Sequence, residues 1–172
     1  MNMSVVRQFV RPLAWTLAVT ALYAIVAVLI GMTGEMTSRA ATTERVVTDR
    51  LTGLALYGFD PVAYFTEQSP REGSGDYELS WAGATWRFRN EGNREAFMQH
   101  PAIYEPRFGG YDPIALADSL PVTGHPSVWM IHGDRLYVFH SQKNRDSFAG
   151  DGASGVARAE SRWPAVKAQL VP

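Results

Sequence analysis

The sequence predicts an α+β domain that repeats one unit, a short helix followed by a β-hairpin and a second helix, behind an N-terminal transmembrane helix. Paired runs of β-branched and aromatic residues surround Gly-containing turns, which is typical of β-hairpins. A polar segment that opens with a helix-capping residue follows each pair. Matching residues in the two units lie 51 or 52 positions apart, and this spacing indicates an internal duplication.

The first unit is predicted over about residues 54–108. Its elements are, in order, a short helix opened by GFDPVAYF (58–65), a loop (68–76), two strands (77–81 and 85–88) and a helix from Asn90. The loop is predicted from its cluster of Pro, Gly and charged residues, and Ala82-Gly83 provides the hairpin turn. Asn90 is a favourable N-cap for the trailing helix.

The second unit is predicted over about residues 109–163. Its elements are a short helix opened by GYDPIALA (110–117), two strands (128–131 and 136–139), a turn at 132–134 and a helix from Ser141, which is again a favourable N-cap. A final amphipathic segment runs from Val156 to about Leu170 and is expected to be interrupted at Trp163-Pro164. Three pairs support the duplication because all are 51 positions apart: Phe88 with Phe139, Asn93-Arg94 with Asn144-Arg145, and Phe97 with Phe148.

The repeated Asp-Pro pair predicts a helix start in each unit. Asp60 and Asp112 each precede Pro and an apolar run, so the Asp side chain should accept hydrogen bonds from the first free backbone N–H groups. Pro suits the first helical position because it lacks a donor there. A catalytic pair of the two aspartates is the alternative. If they are caps, we expect replacement by Asn to be mild, because Asn caps nearly as well as Asp.

Composition excludes several classes of protein. The 172 residues carry 16 Lys plus Arg and 17 Asp plus Glu, so no excess of positive charge indicates nucleic-acid binding. The chain has no Cys, which excludes disulfides, zinc ribbons, iron–sulfur clusters and cysteine nucleophiles. The sequence also contains no Walker loop, no G-x-G-x-x-G and no G-x-S-x-G motif.

The N-terminus predicts an uncleaved membrane anchor over residues 1–34. The apolar stretch 12–32 has 21 residues, and as a helix it would rise roughly 31 Å, the thickness of a bilayer's hydrocarbon core. A signal peptide is the alternative, but its apolar core is usually shorter. Arg7 and Arg11 precede the stretch, which predicts a cytoplasmic N-terminus and a periplasmic C-terminal domain. Residues 35–46 are expected to be a linker, and residues 47–172 the duplicated domain.

The stretch IHGDRLYVFHSQKNRDSF, from Ile131, resembles the YHS domain. The family's pattern of His-Gly, Tyr-x-Phe, Ser and a later Phe is matched by His132, Gly133, Tyr137, Phe139, Ser141 and Phe148. The layout from about Arg45 to Trp163 is similar to bacterial, often exported, YHS-domain proteins. The resemblance implies a compact α+β unit, and in the metal-binding members two cysteines that hold the metal.

The cysteine positions of that pattern are occupied by other residues here. His140 and Asn144 stand there in the second unit, Arg89 and Asn93 in the first, and Asp112 stands where relatives often have Cys after Gly-Gly-Tyr. Soft thiolate ligands for copper or mercury are therefore missing. His125, His140 and Asp112 are the conceivable borderline-metal set, but further ligands are not identifiable. The expectation is no metal and no cofactor.

A basic concentration in the first unit, Arg87, Arg89, Arg94 and Arg107, suggests a solvated face, or else a contact with lipid headgroups or a partner. Taken together, the sequence predicts a non-enzymatic accessory or scaffold subunit of a larger complex in the inner membrane. It would bind partner subunits through its transmembrane helix and its periplasmic domain, and the bilayer through residues 12–32. The first alternative is a periplasmic metal- or small-ligand-binding protein; a hydrolase or oxidoreductase is the second.

Overall fold

The computed structural model describes residues 44–171, which form an α+β domain with two two-stranded antiparallel sheets. The predicted anchor 1–34 and most of the predicted linker lie outside the described residues. The α-helices and strands follow in the order α1 (Ala63–Thr66), β1 (Ser74–Trp81), β2 (Ala84–Phe88), α2 (Glu91–Gln99), α3 (Pro101–Tyr104), α4 (Pro113–Ala117), β3 (His125–His132), β4 (Arg135–Phe139) and α5 (Gln142–Lys167). Two 3-10 turns, Leu56–Gly58 and Arg107–Gly110, precede α1 and α4.

Both predicted hairpins are present, and they share one irregularity. β1 pairs with β2 and β3 pairs with β4, each antiparallel, with a register shift after Ser74 in the first and after His125 in the second. The strands β1 and β3 begin three residues earlier than the sequence patterns indicate. Gly73 and Gly124 stand directly before them and come so close to the partner strand that there is no room for a side chain. Gly73 lies in the loop predicted over residues 68–76. Both glycines allow their strands to extend across the bulge.

The trailing helices begin where their caps predict, but the second one is longer than expected. The side chains of Asn90 and Ser141 accept hydrogen bonds from the backbone N–H groups of Asn93 and Asn144. α5 then extends to Lys167, with a kink at the non-helical residue Asp151. The interruption expected at Trp163-Pro164 is absent. Pro164 lies inside α5, three residues before its end, and it removes the hydrogen bond to the carbonyl of Glu160 without ending the helix.

The domain has two buried clusters, and β4 contributes to both. Leu136 and Val138 pack with residues of the first unit such as Trp86 and Phe88. Tyr137 and Phe139, which point to the other face of the strand, pack with residues of the second unit, Phe148 among them. β4 is therefore buried on both faces between the two units, whereas β2 is buried on one face only.

The folded part extends further toward the N-terminus than the expected linker. Residues 44–46 belong to it, because the backbone N–H of Arg45 donates to the carbonyl of Val171 at 2.9 Å and Val46 is buried. Within residues 44–171, none of the helices combines the length and the apolar character that a bilayer crossing requires.

Candidate functional site

Asp60 is fully buried, and its carboxyl group accepts four hydrogen bonds. Its Oδ1 accepts from the backbone N–H groups of Val62 at 2.8 Å and Ala63 at 3.3 Å. Its Oδ2 accepts from the backbone N–H of Arg89 at 2.8 Å and from Nδ2 of Asn93 at 2.6 Å. One oxygen thus holds the turn that leads into α1, and the other ties this turn to the end of β2 and the start of α2.

Asp112 repeats the arrangement in the second unit. Its Oδ1 accepts from the backbone N–H groups of Ile114 at 2.8 Å and Ala115 at 3.3 Å. Its Oδ2 accepts from the backbone N–H of His140 at 2.8 Å and from Nδ2 of Asn144 at 2.7 Å. Asp60 and Asp112 are the only buried charged side chains among residues 44–171. Every buried charged side chain of this region is therefore fixed by one of the two hydrogen-bond networks.

These contacts change one expectation drawn from the sequence. A capping role alone would make Asn a mild replacement, as expected above. In the structure each carboxyl oxygen accepts from two donors, so the NH₂ group of an Asn would face two of these donors in either orientation of the amide. The substitution therefore leaves buried donors unsatisfied and cannot be mild. The two Asn partners were visible in the sequence only as a repeated Asn-Arg pair, and their role was missed.

The residues considered for a metal site use their polar atoms for other contacts. Nδ1 of His125 accepts from the backbone N–H of Ser127 at 3.2 Å. His140 contacts Asp112 through its backbone N–H and not its ring, and its Nδ1 lies 3.2 Å from the carbonyl oxygen of Thr123. Within residues 44–171, no group of three or more His, Asp and Glu side chains is arranged to hold a metal ion.

The basic concentration of the first unit is neutralised by glutamates. Each of its four arginines lies within 3.2 Å of a carboxyl oxygen, in the pairs Arg87–Glu78, Arg89–Glu67, Arg94–Glu91 and Arg107–Glu160. The four glutamates come from four different segments of the fold, and only the Arg94–Glu91 pair is local in the sequence. Exposed pairs of this kind contribute little to stability, but they remove the free charge that a headgroup or a partner would need.

A cleft of about 580 Å³ is lined by basic residues, of which only Arg107 belongs to the basic concentration noted in the sequence. Four basic residues line it, from four distant segments of the chain: Arg45, Arg107, Arg135 and Lys167. Glu105 is the one acidic residue of its lining within residues 44–171, and Trp163 supplies an aromatic wall. We call this feature the basic cleft.

The hydroxyl groups of two buried tyrosines form hydrogen bonds that connect distant segments of the chain. The hydroxyl of Tyr64 donates to the carbonyl of Pro126 at 3.0 Å, so the first unit is tied to the second. The hydroxyl of Tyr111 donates to the carbonyl of Glu44 at 2.6 Å. Burial, and to a lesser extent the charge of Asp60, raises the pKa of Tyr64 far above its ordinary value. Burial and the charge of Glu44 raise the pKa of Tyr111 to about 12.

Fold and site together define an α+β domain in which two similar units each fix a buried Asp by the same set of contacts. No family model, no curated protein and no solved structure matches the chain.

Proposed function

We propose that the chain is a non-enzymatic, membrane-anchored accessory subunit of a larger membrane protein complex, with a duplicated YHS-like domain that binds partner proteins. In this proposal residues 12–32 anchor the chain in the inner membrane with the N-terminus in the cytoplasm, and the domain faces the periplasm. The domain has no role in catalysis; its contribution is a fixed shape held close to a membrane partner.

One observation carries the non-catalytic part of the proposal. By the resemblance, His140 and Asn144 stand at the two cysteine positions of metal-binding YHS domains, and Asp112 stands where relatives often have Cys after Gly-Gly-Tyr. These three residues meet at Oδ2 of Asp112, with hydrogen bonds of 2.8 and 2.7 Å. A buried carboxyl group that already accepts four hydrogen bonds stabilises the fold, and it has little capacity left for a substrate or a metal ion.

Exposed apolar side chains support the binding of a protein partner. Trp81 at the tip of the first hairpin, Met98 near the end of α2 and Ile103 in α3 are 43%, 56% and 38% exposed. Trp81 and Ile103 are the chain neighbours of Ala82 and Ala102, which line the basic cleft. Aromatic and aliphatic side chains of this kind are the usual anchors of protein interfaces.

The test is affinity purification of the full chain after gentle detergent extraction, with identification of the co-purifying subunits and measurement of metal content. We expect a defined set of membrane proteins and no stoichiometric metal. Met98→Ser should release the partner, whereas Leu120→Ser should retain it, since Leu120 is equally exposed at 57% but belongs to the second unit. Stoichiometric zinc or copper in protein purified without added metal, with no partner retained, would favour the metal-binding alternative instead.

A small-ligand-binding protein is the second candidate, and the basic cleft is the observation that favours it. A volume of about 580 Å³ lies within the range of pockets that bind small molecules. Both roles are compatible, because an accessory subunit can also bind a ligand.

A further inference from the structure

The basic cleft lies where the two units and both ends of the domain meet. Arg45 belongs to the N-terminal segment, Arg107 to the 3-10 turn before α4, Arg135 to the start of β4 and Lys167 to the end of α5. A second cleft, of about 410 Å³, is also lined by Arg107 and Arg135. Four cations that lie far apart in the sequence are therefore gathered by the fold around one opening.

Little negative charge from the protein balances these cations. Of the four cations in the cleft, only Arg107 has an ion-pair partner within residues 44–171, namely Glu160 at 2.6 Å. Arg135 donates to the carbonyl of Ala102 at 3.2 Å, which leaves its charge uncompensated. The lining itself contributes a single acidic side chain, Glu105. Like charges that share a cleft repel one another, and this arrangement is stabilised when an anion enters.

Arg107 also has a donor that the protein does not satisfy. Its Nε is buried and has no hydrogen-bond partner within residues 44–171, although Nη2 of the same guanidinium is held by Glu160. A buried charged donor without a partner is costly, so the guanidinium is held in place without being saturated. Nε of Arg94, which does not line the cleft, is in the same state, so the inference is carried by the charge of the lining and not by this atom.

We propose that the basic cleft binds a phosphate group, carried either by an anionic lipid headgroup or by a free phosphate ester. Phosphate oxygens accept several charge-assisted hydrogen bonds at once, and Arg and Lys are their usual donors. With Glu105 in the lining and Glu160 paired to Arg107, an excess of two positive charges remains, and it suits such a group better than a single carboxylate. Trp163 and Phe108 in the lining provide an apolar wall on which the rest of the ligand can pack.

Calorimetric titration of the purified full chain in nonionic detergent tests the proposal. The probes are inorganic phosphate, glycerol 3-phosphate, short-chain phosphatidylglycerol and short-chain phosphatidylcholine. We expect glycerol 3-phosphate or phosphatidylglycerol to bind, and phosphatidylcholine to bind at least about tenfold more weakly, because its choline cation meets the positive lining. Much tighter binding of phosphatidylglycerol than of glycerol 3-phosphate identifies a lipid ligand, and comparable binding identifies a free phosphate ester.

Matched variants assign the binding to the cleft. Lys167→Gln or Arg135→Gln should weaken binding about tenfold, the loss expected for one charge-assisted hydrogen bond. Arg71→Gln is the control, because Arg71 is exposed, pairs with Glu67 and lies outside the cleft. The control retains Arg7 and Arg11, so it also reports any binding through the basic N-terminus.

The proposal fails if no phosphate-bearing probe binds, if phosphatidylcholine binds as tightly as phosphatidylglycerol, or if the cleft variants and Arg71→Gln bind alike. Far-ultraviolet circular dichroism of each variant establishes whether it is folded. If one of the two cleft variants does not fold, the other serves in its place. The inference does not rest on the proposed partner binding, because the titration contains no other subunit.

Discussion

At the scale of single residues, the buried aspartates are the most informative groups. Each joins a local contact, which the sequence shows, to a distant contact, which it does not. Asp112 lies two residues before Ile114 in the chain, but it meets Asn144 only because the hairpin between them returns the chain to the same place. Asp112 is the helix cap that the sequence predicted, whereas Asp60 holds the turn before α1, whose N-cap is Val62. The contacts of the second carboxyl oxygen could be known only from the fold.

The first prediction concerns that second oxygen. Asp112→Asn should lower the free energy of unfolding by about 2–4 kcal/mol, because two donors at Oδ2 would face the new NH₂ group. Asp112→Ala should cost at least as much, since it removes all four accepted hydrogen bonds. Urea denaturation measures both.

The double variant Asp112→Asn/Asn144→Asp is the control, because it returns one acceptor to the site. We expect it to be more stable than Asp112→Asn alone, with a positive coupling energy in a double-mutant cycle. If Asp112→Asn were as stable as the wild type, the aspartate would be a simple cap.

The second prediction follows from the buried tyrosines. Tyrosine in the unfolded chain loses its proton near pH 10, whereas Tyr111 in the folded domain does so near 12. Between these values the unfolded chain releases a proton that the folded chain keeps, so the free energy of unfolding should fall as pH rises, by about 1.4 kcal/mol per unit for one tyrosine. Below about pH 10 the contribution is complete.

Urea midpoints measured from about pH 8 to about pH 12 test this dependence. Tyr111→Phe should be less stable at neutral pH, since it loses the hydrogen bond to Glu44, but its stability should fall less steeply above about pH 10. Parallel slopes for the wild type and the variant would show that Tyr111 does not contribute.

At the scale of elements, the hairpins were predicted in place, but their strands were predicted too short. The loop signal of Pro, Gly and charge around Gly73 hid the first residues of β1, because a bulged strand tolerates glycine where a regular strand does not. The sequence predicted a helix from Ser141 and a separate segment from Val156, and the kink at Asp151 lies between the two. The break expected at Trp163-Pro164 is absent, because α5 continues for three residues past Pro164.

The third prediction tests the bulge glycines. A Cβ at Gly124 would lie 2.8 Å from the carbonyl carbon of Val138, and one at Gly73 would lie 2.5 Å from that of Arg87. Gly124→Ala and Gly73→Ala should each cost about 1–3 kcal/mol, because the paired strand has to move.

Gly150→Ala is the matched control, since a Cβ there meets no atom within 4 Å and the residue lies in α5. It should leave stability unchanged or raise it by up to about 1 kcal/mol, as expected for Ala over Gly in a helix. Equal effects at Gly124 and Gly150 would mean that the close approach of the strands is not needed for stability.

At the scale of the whole domain, the two units share one strand. β4 belongs to the second unit by sequence, yet Leu136 and Val138 complete the buried cluster of the first. The periodicity of the sequence indicated two similar halves. It could not indicate that one strand would be shared, because alternating side chains show which face is apolar but not what covers it. The basic cleft was missed for the same reason, since its four cations come from four segments.

The fourth prediction is that the units unfold together. Leu136→Ala should destabilise the domain by about 2–5 kcal/mol, and tryptophan fluorescence and circular dichroism should follow one transition. Leu51→Ala should change stability by less than about 0.5 kcal/mol, because Leu51 is 95% exposed. Two separate transitions in Leu136→Ala would show that the first unit unfolds independently of the second.

The position of β4 between the two clusters also determines which of its residues can be substituted. In β2 the side chains of Thr85 and Arg87 remain half-exposed, so alternate positions are open to substitution. In β4 the four successive residues 136–139 are all buried. A saturation-mutagenesis library should therefore show tolerance that alternates along β2 and is low without interruption along β4. The shared strand therefore leaves the hairpin of the second unit fewer positions that tolerate substitution than the hairpin of the first unit has.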